Sequence, residues 1–101
     1  MFIQLSHEDA EKMIANNNVV IADVRDEESY NKGHIDNAIH LTMQALNDFC
    51  ESADKSTPVI VYCYHGISSQ SVAQHLVEYG FNEVYSLIGG YEKWNEHHRT
   101  E

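Results

Sequence analysis

Short apolar runs alternate along the chain with segments in which apolar residues recur every three or four positions. The runs at residues 19–23 and 59–63 are β-branched and apolar without alternation, which is typical of strands covered on both faces. Runs at 2–5, 38–41 and 84–87 predict three further strands. We expect the 19–23 strand to be central. This alternation of strands and helices predicts an α/β domain with a mainly parallel sheet.

Helical periodicity follows the runs at residues 2–5 and 38–41. Ser6 is predicted to cap a helix that ends at the asparagines of residues 16–18. A second helix is predicted from about residue 43 to residue 51. The apolar face of the first helix consists of Ala10, Met13 and Ile14.

The third predicted helix places a cysteine at an edge of the sheet. Its apolar stripe consists of Val72, Ala73, Leu76 and Val77. The helix is expected to begin near Ser68 and to end at Gly80, which suits a left-handed cap. Cys63 then lies between the end of a strand and the start of a helix. In open parallel sheets, ligands bind at this position.

Length and composition describe an ordinary globular chain. The 101 residues suffice for one hydrophobic core and are too few for two, so residues 1–101 are predicted to form a single domain. Hydrophobic residues make up 43% of the chain and charged residues 22%. Both values are close to normal usage, and no low-complexity segment is present.

The charge balance argues against several partners. Sixteen acidic and six basic residues give a formal net charge of -10, which repels nucleic acid and anionic membrane surfaces. The basic residues are scattered and form no local patch. No apolar stretch approaches the length of a membrane span, and the N-terminal residues lack the features of a signal peptide. We therefore expect a cytoplasmic protein that binds neither nucleic acid nor membrane.

The histidines and cysteines do not suggest a metal site or a disulfide framework. Cys50 and Cys63 are the only thiols, and we expect both to be reduced. Cys63 and His65 are only two positions apart, and His97 and His98 lie near one end of the chain, so the spacing of a zinc site is missing. Cys50 continues a helical apolar pattern. Its expected role is packing, with a secondary redox role as the alternative.

A thiol at the start of a helix is chemically activated. Unpaired backbone N–H groups and the positive end of the helix dipole stabilise the thiolate, so the pKa of Cys63 is expected to be low. The segment 64–69 can curl around the sulfur, and Gly66 allows the positive φ that such a curl needs. A reactive thiolate beside converging N–H groups suggests covalent chemistry on a small anion.

Enzymes that attack phosphate esters with a cysteine use the same layout. They also need an arginine near the end of the loop to bind the phosphoryl oxygens. Here serines occupy those positions, Ser68 and Ser69. A phosphatase or an arsenate reductase is therefore disfavoured.

Three motifs resemble those of one enzyme family. The segment CYHGISS (63–69) resembles the active-site loop of GlpE-type single-domain rhodaneses, which are thiosulfate sulfurtransferases. Residues 21–41 contain an Asp-x-Arg followed by Gly-His-Ile, similar to the upstream signature of that family. Residues 87–94 are similar to its downstream Gly-Gly-…-Trp signature. The resemblance covers nearly the whole chain, with the motifs in the expected order.

The resemblance implies a fold and a reaction. The fold is a three-layer α/β/α domain with a five-stranded parallel sheet of order 1-5-4-2-3. In the reaction, the Cys63 thiolate attacks the outer sulfur of thiosulfate and sulfite leaves. The resulting persulfide passes its sulfur to cyanide or a thiol, and no metal or organic cofactor takes part. The implied partners are thiosulfate, a thiol or cyanide acceptor, and a thioredoxin-like or other sulfur-relay protein.

The resemblance also implies the site residues. Cys63 is the nucleophile. The substrate-binding groups are the backbone amides of Tyr64, His65, Gly66, Ile67, Ser68 and Ser69. One position departs from the pattern, because Gln70 stands where relatives often carry a basic residue. A persulfide carrier or sulfur-relay module loaded by a protein donor is therefore the alternative function. A catalytically silent contact domain is disfavoured by the intact loop.

Several of these positions permit two interpretations. Ser68 and Ser69 are candidates both for capping the helix and for contacting substrate. His65, the one potential cation of the loop, is a candidate for tuning the thiolate or binding the donor, or is simply solvated. Asp23 and Arg25 are expected to form a structural ion pair, with a role in the pocket as the alternative.

Other positions are expected to serve the structure. Tyr64 is expected to form a wall of the site. His34 is expected to stabilise a turn through hydrogen bonds. Gly89 and Gly90 are expected to form a tight turn near the Cys63 loop, and Trp94 to pack on a helix.

Overall fold

The structure is a computed structural model that describes residues 1–16 and 18–98. Five parallel strands form one sheet of order β1-β5-β4-β2-β3. The strands are β1 (Ile3–Leu5), β2 (Val20–Asp23), β3 (Ile39–His40), β4 (Val59–Tyr62) and β5 (Val84–Leu87). The helices are α1 (His7–Ala15), α2 (Glu27–Lys32), α3 (Met43–Ser52), α4 (Ser68–Tyr79) and α5 (Gly90–His98). The α/β class, the parallel sheet and its order are confirmed.

Strand β4 shows how the sheet separates two cores. Its four residues are all buried. Val59 and Val61 belong to a cluster with residues of α3 and α4, whereas Ile60 and Tyr62 belong to a cluster with residues of α1 and α5. Successive strand residues point to opposite faces, so helices cover both sides of the sheet. This is the predicted three-layer arrangement.

Local sequence signals account for the ends of the best-predicted helices. The Ser6 side chain accepts a hydrogen bond from the Asp9 N–H at 3.1 Å and caps α1. Gly80 ends α4 with φ of 117°, in the left-handed region. Both caps agree with the sequence analysis. None of the helices in the described ranges is long and apolar enough to cross a membrane.

The structure differs from the sequence analysis at some elements. β2 has a neighbour on each side, but the middle of the sheet is β4. β3 has only two residues, although Ala38 and Leu41 beside it are buried as expected of the longer run. α2 and α5 were not assigned from the sequence. Asp26 begins α2 by accepting the Ser29 N–H, and the helix has no buried residue and hence no apolar stripe.

Candidate active site

The Cys63 loop, residues 63–69, follows β4 and leads into α4. The Cys63 side chain turns inward, and only 5% of the residue is exposed. Its Sγ accepts hydrogen bonds from the backbone N–H groups of Gly66 at 3.1 Å and Ser69 at 3.2 Å. The Ser69 hydroxyl oxygen lies 3.4 Å from Sγ. Three polar hydrogens can therefore point at one sulfur atom.

These contacts lower the pKa of Cys63. Burial is the largest single influence and acts in the opposite direction, because it disfavours the charged thiolate. The hydroxyl and N–H of Ser69, together with the backbone N–H groups of Gly66 and Ile67, outweigh burial. The predicted activation of Cys63 therefore has a defined source in the loop and the first turn of α4.

Ser69 is positioned from the other side by β5. Its Oγ lies 2.9 Å from the Oγ of Ser86, and both serines are buried. The capping interpretation of Ser68 and Ser69 is wrong, because α4 begins after Ile67 without a side-chain cap. Ser86 was missed in the sequence analysis. A serine inside an otherwise apolar strand is the available signal, because a buried hydroxyl needs a partner.

Close backbone packing shapes the loop. Gly66 has φ of 91°, and a Cβ there would lie 2.7 Å from the Gly89 nitrogen. Gly90 has φ of 61°, and a Cβ there would lie 2.5 Å from the Cys63 carbonyl oxygen. Any side chain at these two positions would separate the loop from the Gly89–Gly90 turn. The expected tight turn beside the Cys63 loop is therefore observed.

The start of α5 holds the loop directly. The N–H of Tyr91 donates to the Cys63 carbonyl at 2.8 Å, and the N–H of Glu92 donates to the Tyr64 carbonyl at 3.0 Å. Backbone N–H groups at the N-terminus of α5 thus bind two carbonyl groups of the loop. This contact was not foreseen, because α5 lacks the periodic apolar pattern that marks a helix.

Two polar side chains of the site are already engaged. His65 Nδ1 lies 2.8 Å from Glu92 Oε1, and both side chains are exposed. Gln70, at the position that departs from the family pattern, donates from Nε2 to the Gly66 carbonyl at 2.8 Å. Ile67 and Tyr64 form an exposed rim around the loop. A carboxylate therefore lies beside the one potential cation of the loop.

Asp23 and Arg25 form the expected ion pair, with 2.7 Å between Oδ2 and Nη2. Arg25 also donates to the Gly33 carbonyl at 2.7 Å. Arg25 also lines a cleft of about 740 Å³ that reaches Tyr64, whereas Asp23 is fully buried and does not line it. Tyr64 lines the same cleft and forms the expected wall. His34 Nδ1 lies 2.7 Å from the Tyr30 carbonyl oxygen, consistent with its expected role in a turn.

Cys50 is buried like Cys63, but its surroundings differ. It is fully buried on α3 within the cluster formed by α3 and α4, as its packing role predicts. Burial raises the pKa of its thiol. Both cysteines are free thiols in the structure. Within residues 1–16 and 18–98, no group of three or more histidine, cysteine or acidic side chains is arranged to hold a metal ion.

Comparisons with known proteins find relatives along nearly the whole chain. The Rhodanese-like domain family matches residues 6–97. A protein of Coxiella burnetii named thiosulfate sulfurtransferase GlpE is 61% identical over 100 residues, which cover 99% of this chain and 94% of that protein. A protein of the same name from Shewanella oneidensis is 47% identical over 95 residues, 94% of each chain.

Solved structures show the same fold. A rhodanese-like domain of an Anabaena protein superimposes with a TM-score of 0.85 at 26% identity, over 97% of this chain and 76% of that one. A rhodanese-related protein from Thermoplasma volcanium gives 0.83 at 23% identity, over 98% and 96%, and shows the fold alone. With the sheet order, the Cys63 loop and the family match in agreement, the chain belongs to the rhodanese-like domain family.

Proposed function

We propose that this chain is a thiosulfate sulfurtransferase that works through a persulfide on Cys63. The observation that carries the proposal is the convergence of two N–H groups and one hydroxyl on the Cys63 sulfur at the start of α4. The proposal is also supported by relatives named thiosulfate sulfurtransferase that match nearly the whole chain. We further propose one domain over residues 1–101 and a cytoplasmic location, with neither nucleic acid nor membrane as a partner.

In the first half-reaction, the Cys63 thiolate attacks the outer sulfur of thiosulfate. A bond forms between Sγ and that sulfur, while the sulfur–sulfur bond of thiosulfate breaks and sulfite leaves with the electron pair. The product is a persulfide on Cys63. Its negative outer sulfur is stabilised by the backbone amides of the loop. Those amides belong to Tyr64, His65, Gly66, Ile67, Ser68 and Ser69.

In the second half-reaction, an acceptor takes the outer sulfur. Cyanide or a thiol forms a bond to that sulfur, and the Sγ–S bond breaks with its electron pair returning to Sγ. The Cys63 thiolate is restored, and its hydrogen bonds to Gly66 and Ser69 make it a stable leaving group. No step of this cycle calls for a metal or an organic cofactor.

The second candidate function is a persulfide carrier loaded by a protein donor. The loop offers little positive charge to a dianion, because Glu92 lies against His65 and the residue at position 70 is neutral. A thioredoxin-like or other sulfur-relay protein would then supply or receive the sulfur. Thiosulfate would load such a carrier poorly.

The test is intact-protein mass spectrometry after a short incubation with thiosulfate, applied to wild type and to Cys63→Ser. A gain of one sulfur atom in wild type alone, reversed by cyanide with release of thiocyanate, is the expected result. No gain with thiosulfate but a gain with a protein persulfide donor would replace the enzyme by the carrier. Equal gain in Cys63→Ser would overturn both.

A further inference from the structure

Ser86 places a buried hydroxyl in the apolar interior of the sheet. It lies on β5, which has β4 on one side and β1 on the other, and only 1% of the residue is exposed. Its register partner on β4 is Val61, and Val84, two residues earlier on β5, shares its face of the sheet. Both valines belong to the cluster formed with α3 and α4. An apolar residue at position 86 would therefore suit this core.

A buried hydroxyl needs a hydrogen-bond partner, because removing it from water without one costs free energy. Within residues 1–16 and 18–98, the Ser86 hydroxyl hydrogen-bonds only to Ser69, with 2.9 Å between the two Oγ atoms. The Ser69 Oγ in turn lies 3.4 Å from the Cys63 Sγ. All three residues are buried. They therefore form a chain of two hydrogen bonds that ends at the reacting sulfur.

The number of hydrogens in this chain favours the thiolate. Each hydroxyl has one hydrogen to donate. When Cys63 is a thiolate, Ser86 donates to Ser69 and Ser69 donates to the sulfur, so both hydrogens have an acceptor. When Cys63 is a thiol, three hydrogens share two links, and one hydrogen has no acceptor within the chain. The N–H groups of Gly66 and Ser69 are donors as well, so they offer no acceptor to a thiol hydrogen.

Ser86 determines the direction of the chain. A serine hydroxyl without a second partner can rotate among staggered positions and can point away from the sulfur. Because Ser86 donates to the Ser69 oxygen, the Ser69 hydrogen cannot point toward Ser86 and is left to the sulfur. The first of two linked hydrogen bonds also polarises the second and strengthens it in a buried site. Ser86 therefore acts on Cys63 through Ser69.

We propose that Ser86 is a positioning residue for sulfur transfer, which directs the Ser69 hydroxyl at the Cys63 sulfur. The inference deepens the proposed function and rests on it for the role of Ser86 in the reaction. When an acceptor takes the outer sulfur of the persulfide, the electron pair of the broken Sγ–S bond returns to Sγ. The hydroxyl chain already points at the atom where this charge develops, and donors arranged in advance stabilise such an anion.

The charged side chains around the loop remain the same in the variants that test this inference. His65 pairs with Glu92 on α5, and Asp23, the last residue of β2, pairs with Arg25. The first turn of α4 carries no acidic residue. A change in the pKa of Cys63 caused by a serine substitution therefore reports on the hydroxyl chain.

The test is a double-mutant cycle on the acidity of Cys63 in the unloaded protein. Wild type, Ser86→Ala, Ser69→Ala and the double variant are alkylated with iodoacetamide over a pH series, and the midpoint of the rate gives the pKa of the thiol. Ser86→Ala should raise this pKa and reduce the thiolate fraction near neutral pH about 2- to 5-fold. In the Ser69→Ala background it should cause no further change, because the link to the sulfur is already absent.

A packing role for Ser86 predicts a different result. A distortion of β5 would shift the pKa of Cys63 by the same amount whether residue 69 is serine or alanine. That outcome, or an unchanged pKa in Ser86→Ala, would overturn the proposal. Ser71→Ala is the matched control, because Ser71 is exposed on α4 and its hydroxyl donates to the Ser68 carbonyl. The pKa should not move in this control. Urea unfolding checks that each variant is folded.

The role in the reaction is measured on the thiosulfate-loaded protein. After addition of cyanide, single-turnover release of thiocyanate should be about 1.5- to 3-fold slower in Ser86→Ala, because Sγ becomes a poorer leaving group. A release rate equal to that of wild type would overturn the role of Ser86 in sulfur transfer. Failure of thiosulfate to load wild type would contradict the proposed function instead. The alkylation result does not depend on loading and would still decide whether Ser86 directs the Ser69 hydroxyl.

Discussion

Cys50 and Cys63 are both buried thiols, yet their environments have opposite effects on acidity. Cys50 lies among apolar side chains on α3, and burial raises the pKa of its thiol. Cys63 lies at the start of α4, where hydrogen bonds from the loop outweigh burial and lower the pKa of its thiol. Burial alone therefore does not determine whether a cysteine is inert. What matters is whether polar hydrogens accompany the sulfur into the interior.

The largest expected effect separates the two cysteines by function. Cys63→Ser is expected to abolish sulfur loading, because a hydroxyl is a far poorer nucleophile at neutral pH. The fold should persist, since a serine oxygen can still accept the N–H groups of Gly66 and Ser69. Cys50→Ser should load normally. Intact-mass measurement of both variants after thiosulfate treatment tests this, and loss of loading in Cys50→Ser would make Cys50 a participant.

The two thiols of the wild-type protein should also differ in alkylation. At neutral pH, iodoacetamide is expected to modify Cys63 at least about 100-fold faster than Cys50, which must wait for local opening. The rate at Cys63 should rise with pH and then level off. The midpoint of this rise should lie below that of free cysteine, because the pKa of the thiol is lowered. Peptide mass spectrometry over a pH series measures both rates. A Cys63 midpoint at or above that of free cysteine would contradict the hydrogen-bond account.

Ser69→Ala tests the hydroxyl that distinguishes the two environments. Loss of this donor should raise the pKa of Cys63 and reduce its thiolate fraction near neutral pH about 10-fold. Ser68→Ala is the matched control, because that serine is exposed and, among the described residues, its side chain makes no hydrogen bond to the Cys63 sulfur. The alkylation rate of Cys63 against pH is the measurement. Equal midpoints in the two variants would show that the Ser69 hydroxyl does not lower the pKa of Cys63.

The two cysteine substitutions should affect stability in the opposite order to sulfur loading. Cys50→Ser places a hydroxyl in an apolar cluster and is expected to lower the free energy of unfolding by about 1–3 kcal/mol. Cys63→Ser should change it much less, because the loop already supplies donors. Urea unfolding of both variants and of wild type measures these free energies. A larger loss in Cys63→Ser would mean that Cys63 contributes more to packing than its surroundings indicate.

The smallest expected effect concerns charge near Cys63. Gln70→Lys should lower the KM for thiosulfate about 2- to 5-fold, since an added exposed cation attracts the dianion. Gln74→Lys, one turn further along α4, adds the same charge away from the loop and should have less effect. Steady-state kinetics with thiosulfate decide the matter. An unchanged KM in Gln70→Lys would show that the missing cation does not limit donor binding.

The sequence predicts those parts of the molecule that carry a local signal. The strands, the Ser6 and Gly80 caps and the position of Cys63 follow from apolar runs and from residue types with strong conformational preferences. α2 could not be assigned in this way, because a helix without a buried face has no periodic apolar pattern. α5 presents Tyr91 and Trp94 to the core, which is too few residues to mark a helix.

Contacts between residues distant in sequence account for what was missed in the site. The pairing of Ser69 with Ser86 depends on the register of α4 against β5, which no local pattern encodes. The position of Glu92 beside His65 depends on the path of α5 past the loop. The cleft between Arg25 and α5 is likewise a product of tertiary packing. The chemistry of each side chain was therefore predictable from the sequence, whereas the residues that contact it in the fold were not.

The contact between the Cys63 loop and the Gly89–Gly90 turn has a consequence for synthesis on the ribosome. The loop carbonyls of Cys63 and Tyr64 are bound by N–H groups of Tyr91 and Glu92, which are translated well after the cysteine. A nascent chain that already displays Cys63 therefore cannot yet hold the loop in its final shape. Full activation of the thiol is delayed until the start of α5 has been made and has docked.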